Sequence, residues 1–76
     1  MNADVTLDCK GLSCPMPILK LAKAIKSMQS GQVIEVLGTD PGSKVDIPKW
    51  CDKTGNEFLG EEDEAGGVNK FYIRKA

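Results

Sequence analysis

Residues 14–37 read CPMPILKLAKAIKSMQSGQVIEVL, and two periodicities meet inside them. Ile18, Leu21, Ala22, Ile25 and Met28 recur at i, i+3, i+4, i+7 and i+10, the stripe of an amphipathic helix. Lys20, Lys23 and Lys26 lie on a different face and make it basic. Gly31, shortly after the last periodic residue, is the natural stop. Val33-Ile34-Glu35-Val36-Leu37 follows as a short, β-branched, nearly continuous apolar run, which reads as a mostly buried central strand.

The flanks extend this helix–strand pair into a full pattern. Upstream, Val5-Thr6-Leu7-Asp8 alternates apolar and polar and reads as a first strand, broken by Gly11. Downstream, Asp40-Pro41-Gly42-Ser43 is a turn or the entry to a second helix with Asp40 as N-cap. Ile47, Trp50 and Cys51 fit i, i+3, i+4, which predicts regular helix from about Asp46 or Ile47. Pro48 is then tolerated in the first turn, and Gly55 ends the helix. Glu57 to Gly60 and Val68 to Lys75 are the last two strands, joined by a hairpin turn at Ala65-Gly66-Gly67. Phe71 and Ile73 should face the helices, with Tyr72 and Arg74 on the other side. The order is β-α-β-α-β-β, an α/β two-layer arrangement in which two helices cover one face of a four-stranded sheet. A parallel first β-α-β unit would cross over right-handed.

Composition limits what such a chain does. Seventy-six residues make one domain, spanning 1–76. With two Phe, one Tyr and one Trp, aliphatic side chains must build most of the core. No apolar run approaches membrane-spanning length, and the N-terminus does not read as a signal peptide. A net charge of −1 argues against direct nucleic-acid binding through phosphate neutralisation. Histidine is absent, which removes Ser-His and Cys-His catalysis within the chain and any histidine-ligated metal site. The three cysteines, Cys9, Cys14 and Cys51, are odd in number and lack C-x-x-C spacing. A disulfide framework or metal site is therefore not indicated, and a reducing cytoplasm is the default compartment.

Gly11-Leu12-Ser13-Cys14-Pro15-Met16-Pro17 carries the sharpest chemical signal. Proline is favoured at the first helical position, so Pro15 there makes Cys14 the N-cap, and Pro17 still fits the first turn. A thiol near the positive end of a helix should ionise below its usual range. Lys20 would add to this if it reached. The plainer alternative is an inert cap in a proline-defined turn.

Leu7-Asp8-x-x-Gly11-Leu12-x-Cys14-Pro15-x-Pro17 resembles the signature of the TusA family, small SirA-like sulfur carriers. Asp40-Pro41 and Asp46-Ile47-Pro48-x-Trp50-Cys51 are similar to the family's second signature, at fitting separation. The resemblance covers nearly the whole chain. It implies a mixed four-stranded sheet under two helices, similar to the C-terminal domain of bacterial translation initiation factor 3. It also implies that Cys14 carries sulfane sulfur as a persulfide, with Gly11, Pro15 and Pro17 shaping its turn and no cofactor beyond that sulfur. The implied donor is a cysteine desulfurase or rhodanese-like protein. The implied acceptor is a DsrE-like protein or a relay toward transfer-RNA thiolation. The chain would then be a sulfurtransferase-type carrier rather than a stand-alone enzyme, a monomer when free.

The remaining candidates divide into packing and chemistry. Cys51 lies on the stripe of the second helix and reads as a packed thiol. Cys9, five residues before Cys14, is a candidate resolving thiol. Asp46 and Asp40 read first as capping residues and Trp50 as a core anchor. Lys20 and Lys23 could steer acidic partners. A thiol redox protein and a non-catalytic regulatory interaction module remain as alternative functions.

Overall fold

The computed structural model describes residues 2–76. Six elements follow in the order expected: β1 (Val5–Cys9), α1 (Met16–Lys26), β2 (Val33–Gly38), α2 (Ser43–Thr54), β3 (Glu57–Asp63) and β4 (Asn69–Arg74). The sheet order is β1-β2-β4-β3. β1 and β2 are parallel, whereas β4 runs antiparallel to β2 and β3, so the sheet is mixed. β2 and β4 are the inner strands, and β4 is the strand with the most buried residues.

Strand alternation sorts side chains between the two faces. Leu7 pairs with Val36, which pairs with Phe71, and Val5 pairs with Ile34, which pairs with Ile73. Ile34, Val36, Phe71 and Ile73 are buried against Leu21 and Ile25 of α1 and Ile47 and Cys51 of α2. Phe71 and Ile73 therefore face the helices, as alternation requires. Tyr72 points the other way, yet it is also buried, and its hydroxyl donates to Glu35 Oε2 at 2.9 Å. Arg74, on that same side, is paired with Glu57.

Both helices differ from the sequence expectation at their ends. α1 begins at Met16, with Pro15 in the cap position, so Cys14 precedes the cap instead of forming it. The helix closes at Lys26, not at Gly31. Its last turn tightens as Ser27 and Met28 donate to Ala24 and Ile25, and Met28 stays buried beyond the helix. α2 starts at Ser43, three residues ahead of the earliest expected start. Pro48 is consequently inside the helix, where it donates no hydrogen bond. The early start is made by short-range bonds: Ser43, Lys44 and Val45 donate to Asp40, Pro41 and Gly42. Gly55 ends α2 as expected, in the left-handed conformation at φ +79°, donating to the carbonyl of Cys51. β3 extends to Asp63, past the expected Gly60, and a register shift lies between Phe58 and Gly60. Among the described residues no helix is long and apolar enough to cross a membrane.

Candidate functional site

The site forms where two parallel strands end side by side. Cys9 closes β1 opposite Gly38 at the end of β2, so the loops that follow them leave the same edge of the sheet. Gly11, in the left-handed region at φ +80°, donates its N–H to Thr39 Oγ1 at 2.9 Å. Cys14 donates its N–H to Asp40 Oδ2, also at 2.9 Å. The other oxygen of Asp40 accepts the N–H of Gly42 at 3.1 Å. Asp40 is thus no simple N-cap of α2: that position is Gly42, and no side chain caps it.

Cys14 itself is exposed. Its turn closes with the N–H of Met16 donating to Ser13 O. The Cys14–Pro15 peptide is cis. Pro17 is buried in the first turn of α1, while Pro15 is exposed beside the cysteine.

The electrostatics reverse the sequence expectation. The Cys14 thiol is pushed above the ordinary thiol range, chiefly by its hydrogen bond to the Asp46 carboxylate. Partial desolvation and the charges of Asp46 and Asp40 add to the push. A nearby anion disfavours a thiolate, and the helix terminus that was to offset it begins one residue later than expected. Lys20 does not act on Cys14; its charge partly offsets the rise at Cys9. Asp46, expected as a cap, lies in the first turn of α2 with its carboxylate at the thiol. The carboxylates of Asp46 and Asp40 thus disfavour the thiolate of Cys14. Replacing Asp46 by Asn should move the midpoint of its pH-dependent alkylation downward, so that iodoacetamide reacts faster at neutral pH. A midpoint that stays or rises would show that Asp46 does not hold the proton.

The other thiols are sealed. Cys9 and Cys51 have 0% and 1% of their surface exposed. Burial raises the Cys9 thiol, and it pushes Cys51 up to about 11, with Asp52 contributing. No disulfide joins the three cysteines. Cys9 thus packs in the core instead of sharing the exposed position of Cys14. Native protein should take one iodoacetamide adduct, on Cys14, and three only after denaturation, as read by intact mass. Rapid native labelling of Cys9 or Cys51 would contradict this packing.

The second-signature residues do not form one cluster. Asp40 and Asp46 converge on Cys14, and Cys51 packs in the core. Pro48 is partly buried within α2. Trp50 packs against the core and also lines a groove of about 620 Å³ with Ile18, Asp46, Lys49, Asp52 and Lys53. That groove adjoins the cysteine through Asp46. Met16, Leu19 and Val45 are exposed apolar side chains on the same two helices. Lys20 and Lys23 are exposed on α1.

The comparisons with known proteins agree on one family. The profile described as Sulfurtransferase TusA matches residues 5–75. The chain belongs to the TusA family. Sulfur carrier protein TusA of Allochromatium vinosum is 47% identical over 73 residues, covering 96% of this chain and 95% of that protein. TusA of Pseudomonas entomophila is 44% identical over 72 residues, covering 95% and 89%. YrkF of Bacillus subtilis, also named as a sulfur carrier protein, is 45% identical over 75 residues; these span 99% of this chain but only 40% of YrkF. The TusA-type fold is met again in the crystal structure of a SirA-like protein from Desulfitobacterium hafniense. It superposes with a TM-score of 0.82 at 25% identity, covering 92% of this chain and 95% of that one.

Proximity to Cys14 was the part of this TusA-family site that local sequence reasoning missed. Thr39, Asp40 and Asp46 are 25 to 32 positions away, and capping already explains an aspartate near a helix start. The available signal was topological: if β1 and β2 are parallel neighbours, the loops after both must meet.

Proposed function

We propose that the chain is a sulfur carrier that takes up sulfane sulfur on Cys14 as a persulfide and passes it to a second protein. The observation that carries this reading is the contrast among its thiols: Cys14 is exposed in the C-P-x-P turn, and Cys9 and Cys51 are buried. A transferring sulfur must be reachable by two partner active sites in succession, and only Cys14 is presented that way. The names of its TusA relatives support the same role.

Loading is thiol–persulfide exchange. The Cys14 thiol gives up its proton and its sulfur attacks the outer sulfur of a donor persulfide. A Cys14 S–S bond forms as the donor's S–S bond breaks. The electron pair leaves on the donor cysteine, which takes the proton. One sulfane sulfur changes hands, with no external oxidant or reductant. Hand-off repeats the exchange, with an acceptor thiolate attacking the outer sulfur on Cys14. Cysteine desulfurases and rhodanese-like proteins are the donors this chemistry suits, and DsrE-like or transfer-RNA-thiolation proteins the acceptors, in a reducing cytoplasm.

Rhodanese charged with sulfane-labelled thiosulfate tests this reading. The re-isolated protein should carry label that dithiothreitol releases and that cyanide removes as labelled thiocyanate. A thiol redox protein would be oxidised or reduced without retaining label, and an interaction module would remain unlabelled. Either result would overturn the carrier reading.

A further inference from the structure

Asp40 makes a pair of contacts that capping does not require. One oxygen of Asp40 stays at the entry to α2, accepting the N–H of Gly42, the residue before the helix, at 3.1 Å. The second oxygen leaves that helix and accepts the N–H of Cys14 at 2.9 Å. The main chain of Asp40 is anchored as well, since its carbonyl accepts the N–H of Ser43 at 3.0 Å, and Ser43 is buried at the start of α2. One carboxylate therefore couples the reactive turn to the start of the neighbouring helix. Apart from it, the side-chain bond joining the two loops is Gly11 to Thr39, three residues from the sulfur.

We propose that Asp40 is a positioning residue for sulfur transfer, clasping the Cys14 backbone to the start of α2 so that the sulfur is presented at a fixed place and angle to partner active sites. The proposal rests on the carrier reading and assigns the residue that aims the sulfur. Exchange needs an attacking sulfur in line with the S–S bond it breaks, and misplacement by about 1 Å can cost 10²-fold in rate. A cysteine in a loop, with no histidine to hold it, depends on its backbone for that aim. The two N–H donors also keep the Asp40 carboxyl below its usual range, so it remains an anionic acceptor throughout the neutral region.

The clasp carries a cost that makes it testable. The charge of Asp40 helps to hold Cys14 in its thiol form. Asp40→Ala should therefore affect two reactions in opposite directions. Transfer from a persulfidated rhodanese should slow by on the order of tenfold or more, because docking needs the aim. Alkylation by iodoacetamide, which approaches from any side, should speed up, because the thiolate fraction grows. Asp40→Asn keeps one acceptor oxygen and should recover part of the transfer rate. In ¹⁵N spectra, the Cys14 and Gly42 amide protons should both lose their hydrogen-bonded shift and exchange protection in Asp40→Ala.

The adduct count separates positioning from misfolding. A folded variant takes one iodoacetamide, and an unfolded one takes three, in which case Asp40→Asn supplies the comparison. Unchanged transfer in a folded variant would overturn the proposal. So would transfer and alkylation falling together, since the thiol itself would then be impaired. If the wild-type chain accepts no sulfur, the carrier reading fails and positioning for transfer fails with it. The amide signals would still report whether Asp40 holds the turn.

Discussion

Cys14→Ser should abolish sulfur loading completely. Incubation with a persulfide donor should add about 32 Da, the mass of one sulfur atom held as a persulfide, to wild type, Cys9→Ser and Cys51→Ser. The mass of Cys14→Ser should not change. The expectation is all-or-none because the reacting atom itself is removed and no second thiol is accessible: Cys9 and Cys51 are buried, and burial disfavours ionisation of both. A serine at position 14 replaces an exposed side chain, so the fold should survive and the loss should be chemical. Loading that needs Cys9 as much as Cys14 would favour the two-thiol redox reading.

Phe71→Ala should produce the largest loss of stability. The ring is fully buried, on the central strand β4 opposite Val36, and its edge covers Gly38. Phe→Ala in a core costs about 3–5 kcal/mol from lost transfer energy and the cavity left behind. A chain of this length holds roughly 4–11 kcal/mol in total, at 0.05–0.15 kcal/mol per residue. The variant should be partly unfolded at room temperature or show a denaturation midpoint far below wild type in urea. A loss under about 1 kcal/mol would mean that the two layers are held together elsewhere.

The architecture was legible because its signals are local and periodic. The Ile18-to-Met28 stripe, the apolar run of β2 and the alternation of β4 each specify an element and the face it buries, and the two-layer packing follows. The helix ends were less legible. Pro48 reads as a residue confined to a first turn, yet α2 begins five residues before it. The Asp40-Pro41-Gly42 segment accepts the first bonds of α2, and that preference does not register in an apolar pattern. The exposure of Cys14 beside its prolines was legible, but its electrostatics were not. A helix terminus is a sequence-local feature, whereas the carboxylates of Asp46 and Asp40 reach the thiol only through the parallel pairing of β1 with β2. Tyr72 shows the same limit: alternation places it away from the helices, but its burial on that face rests on neighbours such as Glu35 from another strand.

The most direct test is to locate the carried sulfur. Protein loaded by a persulfide donor is trapped with iodoacetamide, digested, and sequenced by tandem mass spectrometry. The extra sulfur should sit on Cys14 alone, with Cys9 and Cys51 recovered as unmodified thiols. An extra sulfur on Cys9 or Cys51, or a Cys9–Cys14 disulfide in its place, would contradict a single exposed carrier site.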